Sequence, residues 1–411
     1  MSKHIIEEAK RCLQCKKPLC RQGCPISTDV PSFIKLFLEG NIQAAGGLLF
    51  NNNPLSTVCS IVCPHEAHCQ GGCILGKKGN PIHVGIIENY ISDYYLNLKK
   101  EFNITKKAGN IAIVGSGPSG LAAAFTLADG GYNITLFEAQ HKIGGFLRYG
   151  IPEFRLPNKI LDTYHNRLKA MGVKIRPNTL IGPGLTIDTL FADGYDVVFI
   201  ATGVWEPNNL GIKGESLGHV HYALAYLKTP DVYDLGDRVV IVGGGNTAMD
   251  VARTAIRKGS NQVTVLYRRD EEHMPASEVE IEMAKIDGVK FEFFVVPVEI
   301  SEGSITCVKT QLTDEGTIEN IPGSEFVLEV DSVIISVSQG PRSNIVKNTT
   351  GIQANNRGFL IVNEKGMTTR EGVFAAGDVV TGAKTVVEAV HQAKASCDEI
   401  DKYITRKYQT Q

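Results

Sequence analysis

Residues 110–121 read Asn-Ile-Ala-Ile-Val-Gly-Ser-Gly-Pro-Ser-Gly-Leu, and residues 134–138 read Ile-Thr-Leu-Phe-Glu. The first string predicts a strand at 111–114, a glycine turn, and a helix at 121–129. Gly115 permits the tight turn, Gly117 lets backbone amides approach a pyrophosphate, and Gly120 allows close packing of helix on strand. Ser116, Pro118 and Ser119 complete the loop, and the helix N-terminus faces the phosphate charge. Glu138, 23 residues after Gly115, ends the next predicted strand, where a carboxylate can accept hydrogen bonds from a ribose diol. A GxGxxG string by itself is weak evidence. One that leaves a strand, opens a helix and has an acid at this spacing reads as a dinucleotide site.

Working outward, a second turn lies about 130 residues on, at Gly243-Gly244-Gly245-Asn246-Thr247-Ala248. It sits between a predicted strand at 239–242 and a helix at 248–258. The strand after it, 262–267, ends in Arg268-Arg269, where a site for NAD usually has an acid. Two arginines there can fork onto a 2′-phosphate and point to NADPH; the plainer alternative is a solvated basic turn. A third element, Ala375-Ala376-Gly377-Asp378, precedes Lys384-Thr385-Val386-Val387-Glu388. Asp378 can bind flavin ribityl hydroxyls, and a helix starting near Thr385 and Val386 can aim amides at the flavin pyrimidine ring, which gains negative charge on reduction. Gly145, Phe146, Leu147 and Arg155 join the flavin-binding set. With the two glycine turns this completes a flavin disulfide reductase-like pattern.

Upstream, eight of the ten cysteines fall between Cys12 and Cys73. They form Cys12-x2-Cys15-x4-Cys20-x3-Cys24-Pro25 and Cys59-x3-Cys63-Pro64-x5-Cys69-x3-Cys73. Closely spaced thiolates on turning loops suit the corners of a [4Fe–4S] cluster, and a Cys-Pro pair often closes such a run. Four-cysteine zinc sites also use x2 spacing, so zinc is the competing reading. Two short helices are predicted within 30–50 and a third at 86–98. Cys307 and Cys397 are isolated and read as core cysteines, so no redox-active pair sits beside the flavin. None of the ten histidines shows metal-ligand spacing, and no residue is assigned as a catalytic acid or base.

The chain has 411 residues, enough for two to four domains, and 43% are hydrophobic. Lys plus Arg is 42 against 44 for Asp plus Glu, a net charge of −2 that gives no reason to expect nucleic acid or an anionic membrane as partner. No apolar run approaches the ~18 residues of a membrane span, and the chain is expected to be soluble and cytoplasmic.

Together the motifs resemble a family that includes the glutamate synthase small subunit, the electron-input subunit of bacterial dihydropyrimidine dehydrogenase, and the N-terminal half of the animal dihydropyrimidine dehydrogenase. The strings Asn53-Pro54-Leu55, Val62-Cys63-Pro64, Gly150-Ile151-Pro152-Glu153-Phe154-Arg155-Leu156-Pro157 and Met274-Pro275-Ala276-Ser277 carry the resemblance, which covers essentially the whole chain. It implies an α/β fold: a helical iron–sulfur domain at 1–107, an FAD domain at 108–212 plus 335–411, and an inserted NAD(P) domain at 213–334, the last two being interleaved Rossmann-like units. It also implies that the two clusters interleave. Cys12, Cys15, Cys20 and Cys73 would hold one, and Cys24, Cys63, Cys69 and Glu88 the other, leaving Cys59 as a non-ligand. Without the resemblance Glu88 reads as a surface helix residue.

The implied activity is electron transfer from NADPH or NADH through FAD and two [4Fe–4S] clusters to a catalytic partner subunit bearing FMN. The chain's length resembles the dihydropyrimidine dehydrogenase subunit. Glu88 and Tyr267-Arg268-Arg269-Asp270-Glu271-Glu272 look more like glutamate synthase, which is the alternative. A reading of another class is a non-catalytic nucleotide-binding scaffold with a zinc-stapled N-terminus.

Overall fold

The computed structural model describes residues 2–99, 102–313 and 316–409. The chain divides into two compact units. One comprises Met1–Arg148, Glu153–Val204 and Pro341–Gln411; the other comprises Tyr149–Pro152 and Trp205–Gly340. The segment 213–334 lies within the second unit, which also takes 205–212 and 335–340.

The first unit opens with helices α1 (Ser2–Lys10), α2 (Val30–Leu38), α3 (Ile42–Asn52), α4 (Ser56–Val62) and α5 (Val84–Asn97). Asp29 caps α2 by accepting from the Ser32 amide at 3.3 Å, with Pro31 in the first turn. Asn41 caps α3 through the Ala44 amide at 3.1 Å. Each cap satisfies an amide with no intrahelical partner. Phe33, Ile34, Ala45, Leu49, Ile87 and Ile91 form the core between them, all fully buried. A Cβ at Gly46 would lie 2.4 Å from that of Tyr95, so glycine is what lets α3 and α5 approach. The two helices expected within 30–50 are α2 and α3, and the third is α5. Helix α4 has no counterpart in the sequence reading: seven residues are too few to show a period.

A five-stranded parallel sheet follows. Its strands β1 (Asn110–Val114), β2 (Asn133–Phe137), β3 (Lys174–Arg176) and β4 (Val197–Ile200) are joined by the late strand Val373–Ala375, in the order Val373–Ala375, β4, β1, β2, β3. Helices α6 (Pro118–Asp129) and α7 (Asn158–Ala170) intervene, and the long helix Val386–Gln409 packs on α6. Strand β1 has β2 on one side and β4 on the other, so the chain reverses direction across the sheet at β1. That reversal opens a crevice at the strand's carboxyl end, where open α/β sheets bind ligands.

The second unit repeats the plan with β5 (Val220–Tyr222), β6 (Arg238–Val242), α8 (Asn246–Arg257), β7 (Gln262–Tyr267), β8 (Lys290–Phe293) and β9 (Ser332–Ile335). The parallel order is β5, β9, β6, β7, β8, which places the switch at β6. An antiparallel sheet of Val295–Ser301, Ser304–Leu312, Ile318–Asn320 and Phe326–Glu329 is also present, which the glycine motifs could not announce.

Candidate functional site

The turn after β1 is built for close approach. Gly115 adopts φ +98°, and a Cβ there would lie 2.4 Å from the Ala201 carbonyl oxygen. A Cβ on Gly120 would lie 1.9 Å from the Gly115 oxygen, so α6 sits directly on the turn. Gly117, by contrast, faces open space. Gly117 begins α6 without a side-chain cap, Pro118 has no amide, and the Ser119 hydroxyl is buried without a hydrogen-bond partner. Uncapped amides, an orphaned hydroxyl and room at Gly117 fit a pyrophosphate. Glu138 is buried, its Oε2 accepting from the Ser116 amide (3.0 Å) and hydroxyl and its Oε1 from the Gln140 amide (2.8 Å). Oε1, with a single donor, keeps capacity for a ribose hydroxyl. Gly145, at φ +53°, presses against Gly117, where its Cβ would come 2.7 Å from Cα. Phe146 and Leu147 follow in a short helix, Leu147 buried and Phe146 half-buried, and Arg155 is half-buried beyond it.

The late strand returns the chain to the same turn. Gly377 (φ +81°) packs on Ser119, where a Cβ would meet the serine Cβ at 3.0 Å, and its amide donates to Gln392 Oε1 at 2.9 Å. Asp378 is half-buried and accepts from the Lys384 amide at 3.3 Å. Thr385 and Glu388 cap the following helix reciprocally: Glu388 Oε2 accepts from the Thr385 amide (3.0 Å) and hydroxyl (2.7 Å), and Thr385 Oγ1 accepts from the Glu388 amide (3.4 Å). This leaves the amides of Val386 and Val387 at the helix start for a ligand.

In the second unit, Gly243 (φ +140°) and Gly244 are held by contact, their Cβ positions falling 2.2 Å from the Ser336 oxygen and 2.5 Å from the Tyr267 ring. Gly245 faces open space ahead of α8. The Ala276 amide donates to the Gly244 carbonyl at 3.1 Å, and the Ser277 amide to Asn246 Oδ1 at 2.9 Å. Thus Met274-Pro275-Ala276-Ser277 braces the turn, a role its sequence did not reveal. Thr247 is half-buried in the first turn of α8. Arg268 is exposed at the end of β7; Arg269 is half-buried with Nε lacking a partner.

The N-terminal cysteines separate into two neighbourhoods. The Cys12 thiol is pushed up by burial and by Cys15 and Cys73; Cys20 rises to about 11 through burial, with Cys12, Cys73 and Cys15 adding to it. Cys63 is raised by burial, then by Cys59, Cys69, Glu88 and Cys24. Cys69 is raised by burial, then by Glu88 and Cys24 and, more weakly, by Cys20, against a backbone hydrogen bond from Gln70. The main neighbours of each thiol therefore fall into Cys12, Cys15, Cys20 and Cys73 on one side, and Cys24, Cys59, Cys63, Cys69 and Glu88 on the other, with Cys20 also felt at Cys69 across the divide. Cys73 joins the first set because Gly72 lets its loop touch the other: a Cβ there would lie 2.7 Å from the Leu19 oxygen.

Glu88 is buried on α5, and burial alone raises its carboxyl to about 8, with no cation to offset it. Cys59 is buried beside it and raised by burial, Glu88 and Cys24, against a hydrogen bond with Asn53. Thiols and a carboxyl gathered this way are costly as bare anions, and metal binding is what makes thiolates stable in such surroundings. Among the described residues no three His, Cys, Asp or Glu side chains converge as one metal ion requires; a four-iron cube takes a ligand at each corner instead.

Residues 109–393 match the family described as pyridine nucleotide-disulphide oxidoreductase. The chain belongs to this family. Residues 1–100 match a second model, dihydropyrimidine dehydrogenase domain II, 4Fe-4S cluster. The glutamate synthase [NADPH] small chain of Escherichia coli is 33% identical over 97% of this chain and 91% of its own length. The NAD-dependent dihydropyrimidine dehydrogenase subunit PreT of the same organism is 34% identical over 97% and 94%. Among solved structures, Mycobacterium tuberculosis FprA in complex with NADPH superposes with TM-score 0.64 at 19% identity, covering 74% of this chain and 86% of that one. T. acidophilum thioredoxin reductase gives 0.56 at 21%, covering 73% and 99%. These two likenesses concern the fold.

As a pyridine nucleotide-disulphide oxidoreductase with a 4Fe–4S domain, the chain uses FAD, NAD(P) and iron–sulfur clusters, and the zinc-stapled scaffold is set aside. No helix among the described residues is long and apolar enough to cross a membrane. Cys307 and Cys397 are both buried and lie in different units, as expected of core cysteines.

Asp378 supports a pH prediction. Burial, opposed by the Lys384 amide and reinforced by Glu388, raises its carboxyl to about 6. A raised acid costs the empty fold nothing below 3.8 and its full amount above about 6, so flavin-free protein should lose stability as pH rises through that window. Ribityl hydroxyls would donate to the ionised form, so FAD affinity should move the opposite way, weakening as pH falls below about 6. Unfolding of apoprotein and its titration with FAD, each at pH 5 and 7.5, check the two signs, and Asp378→Asn should flatten both differences.

Proposed function

We propose that the chain takes reducing equivalents from NADPH or NADH at FAD and delivers them, through two [4Fe–4S] clusters, to a catalytic partner subunit bearing FMN, of dihydropyrimidine dehydrogenase type. When bound, flavin converts a two-electron hydride donor into a source of single electrons that iron–sulfur clusters can carry. The protein's own part is binding and placement. Ser119, Gly117 and the start of α6 would hold the pyrophosphate, Glu138 the ribose, and Asp378 with the start of helix Val386–Gln409 the flavin side. Cys12, Cys15, Cys20 and Cys73 would hold one cluster and Cys24, Cys63, Cys69 and Glu88 the other.

The observation that carries this reading is the union, in one compact unit, of the flavin cradle with both cysteine sets. Anaerobically purified chain should contain FAD and ~8 irons, as two cubes imply. It should reduce dyes with NADPH, but reduce uracil only with an FMN-bearing partner added. Uracil reduction by the homogeneous single chain would overturn the division of labour.

A second reading, small subunit of an NADPH-dependent glutamate synthase, is favoured by Arg268 and Arg269. Arg268 is exposed at the end of β7 with Arg269 half-buried beside it, and one relative, covered over 91% of its own length, is named for NADPH. Glutamate formation from 2-oxoglutarate and glutamine on adding a large glutamate synthase chain, with no uracil reduction, would select it. Both readings share one expectation. Replacing Arg268 and Arg269 by Ser removes a charge-assisted contact worth ~1.5–3 kcal/mol, so NADPH use should fall roughly tenfold or more while NADH use holds. Equal loss with both nucleotides would assign the arginines to structure.

A further inference from the structure

Two cations of the flavin-binding half reach the ends of α3 and α5. Arg167, on α7, is only 7% exposed. Its Nη1 donates to the carbonyl oxygens of Tyr95 (3.2 Å) and Leu96 (3.5 Å), in the last turn of α5. Its guanidinium lies 4.3 Å from the centre of the Phe50 ring and 5.0 Å from that of Tyr95. Among the described residues Nε and Nη2 have no hydrogen-bond partner, and no carboxylate pairs with the charge. Lys394, on helix Val386–Gln409, donates Nζ to the carbonyls of Asn52 (2.5 Å) and Asn51 (3.5 Å), at the end of α3.

Burying a guanidinium without a counter-ion is unfavourable, and fold stability alone gives no reason to keep one. What offsets it is specific. The C-terminus of a helix carries unpaired carbonyls and the negative end of its dipole, and the faces of Phe50 and Tyr95 attract a cation. Both gripped helices lead straight to the second cysteine set. Helix α3 runs through residues 53–55 into α4 with Cys59 and then Cys63, while Glu88 stands two turns before Tyr95 on α5. Edge-on packing of Phe50 against Phe125 (5.4 Å) and of Phe125 against Tyr164 (5.6 Å) joins the same elements to α6 and α7.

We propose that Arg167 and Lys394 are positioning residues that clamp α3 and α5, and through them the second cysteine set and Glu88, to the flavin domain and so set the rate at which electrons pass from flavin to clusters. The inference rests on the electron path proposed above. In that path the two electrons of a hydride from NADPH or NADH would enter at bound FAD and leave singly, one to each cluster held by the two cysteine sets, with the protons passing to solvent.

The test uses full-length holoprotein carrying Arg167→Met with Lys394→Met, alongside Lys394→Gln alone and Arg167→Lys. Flavin and iron content, bleaching of flavin by NADPH, appearance of reduced clusters by spin resonance, and amide hydrogen exchange at 49–59 and 88–98 are measured. The double variant should keep its FAD and iron and bleach near the wild-type rate. Its clusters should be reduced roughly tenfold or more slowly by NADPH yet normally by dithionite, because a small misplacement costs rate far more than stability. Exchange should quicken at the ends of α3 and α5, and Arg167→Lys should recover part of the rate. Unchanged cluster reduction, or flavin bleaching and cluster reduction slowing in step, overturns the proposal. Should the double variant fail to fold, Lys394→Gln decides by the same split. Wild-type clusters that stay oxidised under both NADPH and NADH would overturn the electron path itself, a result distinct from any behaviour of the variants.

Discussion

Gly120→Ala should yield a chain with no bound flavin and no NAD(P)H-driven reduction of any acceptor. The added methyl would lie 1.9 Å from the Gly115 oxygen, 3.0 Å from its carbonyl carbon and 3.4 Å from Ala201 Cβ. The first two atoms are backbone, so no side chain can swing away. Either α6 lifts off β1 or the turn opens, and overpacking of this kind costs ~1–3 kcal/mol before any ligand is considered. Both outcomes break the alignment of turn, amides and Ser119 that the pyrophosphate requires. Gly117→Ala is the informative partner, because its methyl enters open space and leaves the fold intact. That variant should fold with native circular dichroism and still lose most of its flavin absorbance, since the methyl occupies the room the phosphate needs. A Gly117→Ala protein that retains stoichiometric FAD would place the pyrophosphate elsewhere.

Glu88→Ala and Cys59→Ala form the second contrast. Both side chains lie in the second cysteine neighbourhood, and both are buried. Their chemistry differs. A carboxylate whose burial holds it near 8 gains greatly from a metal at its side. The Cys59 thiol, pushed up by burial and by Glu88, lies outside the ligand set that the resemblance implies. Losing a hard oxygen ligand should convert one cube to a three-iron form or shift its redox behaviour, while the first set and the flavin remain. Cys59→Ala should leave both clusters in place. Iron analysis and spin resonance on the two variants decide the matter: if Cys59→Ala loses a cluster and Glu88→Ala keeps both, the fourth ligand is the cysteine.

Much of this molecule was legible because glycines and cysteines are scarce chemical choices. Gly115, Gly117 and Gly120 each answer a local steric demand, and two of the three are now seen against backbone oxygens. The same reading located β1, β2, β6 and β7 within a residue of their ends. The three expected N-terminal helices followed from periodicity over spans long enough to show it. Helix α4 and the antiparallel sheet escaped because a seven-residue helix and a meander carry no motif.

What the sequence by itself determined is the local chemistry: two strand–glycine–helix units, an Asp at a strand end, eight clustered thiols. Those features depend on residues a few positions apart, and short-range sterics and hydrogen-bonding capacity settle them. Which thiols stand together was decided by tertiary structure. Cys73 reaches Cys20 only because Gly72 admits the Leu19 carbonyl, and Glu88 turns inward only because α5 buries the face that carries Ile87 and Ile91. The engagement of Glu138 by Ser116 and the capping of α3 and α5 by Lys394 and Arg167 are likewise long-range. No pattern along the chain announces them, because each joins groups tens to hundreds of residues apart whose meeting depends on how the helices pack.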